Sequence, residues 1–415
     1  MQGTLDAYDP LRLWYSSRLD NAGSLRLNGD VGLYDTYGAS QVSNTGLLSK
    51  VSGSGVSQVA VAFVNSGTVE AKTGTLEFSA GASTFNPGTR FTGAGQVLVD
   101  SAARFNGAFL AQNLVLANAT WTGANAVLSG RAQIKGAGRL EGQWRVDAGA
   151  QLTLADAGAK YLGDHAQLVN DGNVTAADPL RLWYYSSVVN NGTWRLAGDV
   201  GLLETYGGSA FVNNGLLVKT AGSGESTINV GLDNTGTIEV QTGTLRLPDN
   251  FSNAGTLQGV GRFAVAGSLS NTGHIAPGAS PGTLTLDTQL VLGSAGTLDI
   301  ELHNLAQHDL LRVNGNVILG GGLTLACYGA CNLAAGSDIL ILDGSGSLSG
   351  SFERVSLTGF QSGAFDLVYD TANADVWLHV TQSAVAAVPE PQTWALWMLG
   401  LGALAGLAGR RSNAV

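Results

Sequence analysis

An Asn-x-Gly tripeptide leading into an apolar position recurs at Asn21, Asn44, Asn65, Asn170, Asn190, Asn213, Asn234, Asn253 and Asn271. Within its two runs the spacings are 23 and 21, then 20, 23, 21, 19 and 18 residues. Asn and Gly both tolerate positive φ, so each motif is expected to be a tight corner. Short alternating stretches follow, such as Gly67-Thr-Val-Glu70 and Gly236-Thr-Ile-Glu-Val240, and period-2 alternation is the mark of a strand. A unit of about 20 residues built of short strands and polar corners predicts one coil of a parallel β-helix. Propeller blades would need about 40 residues each. The expected fold is therefore all-β: an elongated solenoid of 13 or 14 coils over residues 5–287, about 60–70 Å long at the ordinary strand spacing.

A longer duplication overlies the short one. Asp9-Pro-Leu-Arg-Leu-Trp-Tyr15 returns as Asp178-Pro-Leu-Arg-Leu-Trp-Tyr184, and residues 9–78 align with 178–247 without a gap, with 39 identities. Kept pairs include Asp30/Asp199, Lys50/Lys219 and Glu70/Glu239. The two copies are expected to stack as equivalent coil sets on one side of one rod. The first copy starts almost at Met1, with neither a capping unit nor a signal peptide before it. That predicts a chain shortened at its N-terminus.

Residues 271–380 change character. The run Gly273-His-Ile-Ala-Pro-Gly-Ala-Ser-Pro-Gly-Thr-Leu-Thr-Leu286, followed by His308-Asp-Leu-Leu-Arg-Val313, resembles the segment that ends autotransporter-type β-helical passengers. The resemblance implies that 288–380 are further β-coils and a terminal cap. The 35 residues after 380 are too few for an outer-membrane barrel. Beyond a linker come Val388-Pro-Glu-Pro391, an apolar run Thr393–Gly409 and Arg410-Arg411. This tripartite tail resembles a PEP-CTERM sorting signal, the substrate of exosortases in Gram-negative bacteria that make extracellular polysaccharide. The resemblance implies a linker over 381–392 and a single transmembrane helix with a basic stop over 393–411, which is a transient membrane anchor cut near Pro389. The arginine pair would stay cytoplasmic and leave residues 1–388 outside.

Composition bounds the function. The net charge of −10 argues against a nucleic-acid partner, and charged residues are only 13%. Candidates for acid–base work are Asp30, Asp35 and Glu70 with their counterparts Asp199, Glu204 and Glu239. They are scattered over more than one coil, and their repetition at an offset of 169 fits a structural role. His303 and His308, with Asp309, lack a third ligand of suitable type, so neither metal nor cofactor is expected. Trp14, Tyr15, Trp183 and Tyr184 are candidates for stacking on sugar rings, or for packing within the rod. Cys327 and Cys331 flank a short turn, and export favours a disulfide between them. Together these features predict no enzyme. They predict an exported structural or adhesin-like protein of the cell surface or extracellular matrix, partnered by a processing exosortase, by extracellular polysaccharide or by copies of itself. The alternative is a polysaccharide lyase or hydrolase on the same fold.

Overall fold

The computed structural model describes residues 1–386 apart from Gly81, Ala279, Ser280 and Ala330. The chain winds into a succession of short parallel strands, about 15 turns in all. Three faces run along the rod. The first begins with Thr4–Ala7, Ser24–Leu27 and Leu47–Lys50. The second begins with Leu11–Leu13, Leu33–Asp35 and Val56–Ala60, and the third with Arg18–Asn21, Gln41–Asn44 and Ala62–Asn65. Alternation sends every other side chain inward, as in Ser24–Leu27, where Leu25 and Leu27 are buried and Ser24 and Arg26 are not. The inward Leu, Val, Ile and Phe stack from coil to coil into one continuous core. At the C-terminal end the pairing becomes antiparallel. Asp375–Ala386 pairs with Asp338–Gly344 on one side and with Phe360–Asp370 on the other, closing the third face.

The parallel β-helix and its C-terminal cap are as the sequence predicts, but the corners differ. None of the nine motif asparagines has positive φ. All nine are buried, and they form two internal ladders. In the first, Asn21 Nδ2 donates to Asn44 Oδ1 at 2.7 Å, Asn44 to Asn65 at 2.6 Å, and Asn65 to Thr89 Oγ1 at 2.9 Å. The second runs Asn170, Asn190, Asn213, Asn234, Asn253 and Asn271, each Nδ2 donating to the next Oδ1 at 2.6–2.7 Å. A buried amide left single would cost about 1–3 kcal/mol, whereas a stack satisfies every member but the ends. The motif glycines likewise serve close approach, not positive φ. A Cβ on Gly46, Gly192 or Gly215 would collide with the carbonyl oxygen of the motif glycine one coil away.

The two copies of the duplication do not lie on one side of the rod. Inward neighbours on the second face climb Leu11, Leu33, Val59, Phe78, Val99, Leu116, Ile134, Leu154 and Ala176, which is eight steps. The counterpart of Leu11 is Leu180, on the next strand around the corner. Thus 169 residues make eight coils and a third of another. The second copy sits about 40 Å along the rod and is turned by one face. The first Asn ladder accordingly follows the corner between third and first faces, and the second ladder follows the corner between first and second. Between them the core is aromatic: Phe63, Phe78, Phe85, Phe91, Phe105, Phe109 and Trp144 form a connected chain of rings with neighbouring centroids 4.9–6.5 Å apart.

The start of the linker expected from residue 381 is instead strand. Thr381 to Ala386 complete the last strand, where Ala384 is buried and Ala386 pairs with Phe360. Small and β-branched residues there extend the hairpin ladder, so the segment stays on the body. No described helix is long and apolar enough to cross a membrane. The expected transmembrane helix, 393–411, lies outside the described residues.

Candidate functional site

Three of the five lysines, Lys50, Lys160 and Lys219, are buried inside the rod. Lys50 Nζ donates to Asp30 at 2.6 Å, Ser57 Oγ at 3.0 Å and Gly29 O at 3.1 Å. Lys219 repeats the arrangement with Asp199 at 2.7 Å, Ser226 Oγ at 3.0 Å and Gly198 O at 3.1 Å. The Lys50 ammonium beside Asp30 holds that carboxyl below the usual range, and Lys219 does the same to Asp199. The clue in the sequence is an Asp–Lys pair 20 residues apart, kept in both copies. Removing Asp199 strands a buried ammonium, whereas removing Lys219 leaves Asp199 at the surface with water to solvate it. Asp199→Asn is therefore expected to lower the urea midpoint further than Lys219→Met.

The other candidate carboxylates are also engaged. Asp35 accepts the Gly38 and Ser40 N–H groups at 3.1 and 3.3 Å. Glu204 accepts those of Gly207 and Ser209, both at 2.9 Å. Burial pushes Glu204 up, but these backbone donors outweigh it, and its pKa is lowered. Glu70 accepts Ser49 Oγ at 2.7 Å, and Glu239 accepts Gln241 Nε2 at 2.7 Å. The structure does not bring these six together: each set is built into its own corner or strand, and the sets sit about 40 Å apart on different faces.

Asp35 and Glu204 hold the turns that carry aromatic clusters. Tyr15 and Tyr37 stack with centroids 4.6 Å apart, and Trp14 packs edge-on to Tyr37 at 5.2 Å. In the second copy Tyr184 and Tyr206 stack at 4.4 Å, with Trp183 edge-on at 5.6 Å. Tyr15 and Tyr184 have positive φ, a backbone cost that fixes their rings outward. Trp183 is further enclosed by Tyr161, at 4.8 Å, and by the Arg139 guanidinium, 5.3 Å from its ring centre. Sequence reasoning missed Tyr37, Tyr206 and Tyr161, which join the clusters from neighbouring coils. For Trp183, packing within the rod accounts for most of the ring.

His303 and His308 lie on the two arms of a hairpin, His303 Nδ1 against Tyr328 O at 2.7 Å. Among the described residues no group of three or more His, Cys, Asp or Glu is placed to hold a metal. Asp309 is buried; its oxygens accept Gly282 N at 2.8 Å and Glu301 N at 2.9 Å. Burial without a cation raises its pKa to about 6. A carboxyl raised in the fold is protonated there before it is protonated in the unfolded chain. Stability is thus highest below about pH 4 for this group and is lost as pH climbs to about 6, by roughly 3 kcal/mol. Asp309→Asn is expected to flatten that slope in urea titrations across the window.

Cys327 and Cys331 are free thiols. Cys331 Sγ donates to Leu302 O at 3.1 Å, and burial, with Cys327 beside it, pushes its thiol up to about 12.

Residues 387–412 match the PEP-CTERM protein-sorting motif, which includes Val388, Pro389, Glu390, Pro391, Arg410 and Arg411. The chain is therefore a β-solenoid carrying a C-terminal PEP-CTERM motif. That motif marks an exported protein sorted to the cell surface and implies processing by an exosortase. A search of curated proteins found no match to this chain.

Proposed function

We propose that this protein is a non-enzymatic rod, structural or adhesin-like, placed on the cell surface or in the extracellular matrix of a Gram-negative bacterium. Its apolar tail holds the body on the periplasmic side of the inner membrane until an exosortase cuts near Pro389. Partners after release are matrix polysaccharide or other copies of the rod. Export also exposes Cys327 and Cys331 to oxidant, and a disulfide there would lower the mass of the secreted form by two hydrogens.

The observation that carries this reading is the fate of the duplicated carboxylates. Acid–base cleavage of a glycosidic bond needs two carboxyl groups within about 10 Å. Asp30 and Asp199 each neutralise a buried lysine in a different coil set. Glu204 and Asp35 each tie down a turn. Their repetition serves the rod. The test is incubation of the purified chain with extracellular polysaccharide from its host. Unchanged polymer length is expected, and new reducing or unsaturated ends would instead indicate a lyase or hydrolase.

A further inference from the structure

The second face carries a polar groove that none of the rod's internal chemistry uses. Its lower part, about 610 Å³, is lined by residues including Thr75, Gln96, Arg131, Gln133 and Lys135. Its upper part, about 230 Å³, is lined by residues including Gln151, Thr153, Asn173, Thr175 and Arg195. The two parts meet, because Arg131 pairs in register with Gln151 on the adjoining rung. Seven successive rungs, from Thr75 to Thr193, give a strip about 29 Å long. Strand alternation fixes its chemistry. Leu152, Leu154, Val174, Trp194 and Leu196 point inward and are buried, which leaves amides, hydroxyls and guanidinium groups outside over the upper rungs, with Glu77, Leu98 and Val115 in the same outward row at the lower end.

Several outward arginines elsewhere on the rod are neutralised by a neighbour one coil away, as Arg145 is by Asp171 and Arg246 by Glu225, while Arg12, Arg90, Arg104 and Arg181, outside the groove, have no ion-pair partner among the described residues. Arg131 and Arg195 have no carboxylate partner among the described residues. The duplication shows how one of them came free. Arg26, the counterpart of Arg195, sits opposite Asp6 with 3.5 Å between charged atoms. In the second copy the residue opposite Arg195 is Thr175. Gln96, Gln133, Gln151 and Asn173 likewise have no side-chain partner among the described residues. The protein is net negative, whereas this strip carries two free guanidinium groups against the one carboxylate of Glu77, Lys135 being paired with Asp156.

We infer that this groove binds an extended acidic polysaccharide lengthwise. Amide and hydroxyl side chains in a flat row match the alternating donors and acceptors of sugar hydroxyls. The free guanidinium groups, three rungs or about 14 Å apart along the rod, match carboxylates that recur along a polymer, since a guanidinium takes a carboxylate through two parallel hydrogen bonds. The aromatic clusters do not compete for this role, because the rotation between copies puts them on different corners where one straight chain cannot touch both. The inference rests on the reading of the rod as a non-enzymatic surface protein.

The test uses the full-length chain, with polygalacturonate as the acidic probe and dextran as the neutral one. Retention on polygalacturonate at low salt is expected, with at least a tenfold loss in Arg131→Gln/Arg195→Gln and a further loss at 0.5 M salt, roughly a 4 Å Debye length. Arg12→Gln/Arg181→Gln, outside the groove, should bind as the parent does. Circular dichroism reports that each variant is folded. Undiminished binding in the Arg131/Arg195 variant, equal retention on dextran, or no retention on either polymer would overturn the inference. Depolymerisation of the probe would instead defeat the non-enzymatic reading, and the groove substitutions would still report on binding.

Discussion

Asn213→Ala is expected to destabilise the rod by about 2–4 kcal/mol, although it removes only the amide group from a corner. Asn213 is fully buried in the middle of the second ladder. Its Nδ2 donates to Asn234 Oδ1 at 2.7 Å and to Thr237 O at 3.0 Å, and its Oδ1 accepts from Asn190 Nδ2 at 2.7 Å. Alanine leaves Asn234 Oδ1 without that donor and Asn190 Nδ2 without that acceptor, both inside the core. The loss of three bonds and the burial of two groups that each miss a partner add in the same direction. Asn191, one residue past the preceding rung of the ladder, bonds Asp171 at the surface, and Asn191→Ala should cost less than about 0.5 kcal/mol. Urea unfolding of the two variants side by side separates a buried ladder from a row of polar corners.

Phe85→Ala is expected to cost about 3–5 kcal/mol. Its ring lies at the junction of the aromatic core, 5.4 Å from Phe78, 5.0 Å from Phe91 and 4.9 Å from Phe105. Phe85 sits in register on Asn65, the last asparagine of the first ladder, and the second ladder does not begin until Asn170. A single amide bond from Asn106 to Asn86, at 2.9 Å, stands there in place of a continued ladder, so packing carries most of the load. The rungs are also unusually long, Ala103–Ala117 and Thr120–Lys135 each running through corners without a break. A cavity at Phe85 removes ring contacts from coils on both sides. Phe85→Leu, which keeps most of the volume, should recover a good part of the loss. Equal thermal midpoints for Phe85→Ala and the parent would contradict the packing account.

Much of this fold is legible in the sequence because a solenoid repeats its instructions. The Asn-x-Gly spacing gives the coil length, and the alternation after each Gly gives the strands. What the spacing does not reveal is where the asparagine side chain goes. Asn tolerates positive φ in isolation, and only stacking shows that the nine fall on two buried lines in which neighbours satisfy one another. The same holds for the glycines, whose hydrogen side chains are demanded by a carbonyl one coil away. The rotation between the copies was hidden for a different reason. An offset of 169 residues has no geometric meaning until the coils are counted, and these vary in length. The kept Asp–Lys pairs were visible, but their burial followed only from the corner that encloses them. For the groove, no motif in the chain marks it. Gln96, Arg131, Gln151, Asn173 and Arg195 are scattered in sequence and become neighbours through register alone.

The central claim, an exported rod released through its C-terminal signal, is tested most directly by the C-terminal mass of the mature protein recovered from its native host. The account predicts a chain that ends near Pro389 and lacks Trp394 and Trp397. Replacing Pro389, Glu390 and Pro391 with alanines should leave a longer form retained in the membrane. Fully secreted protein that still carries Arg410 and Arg411 would contradict it.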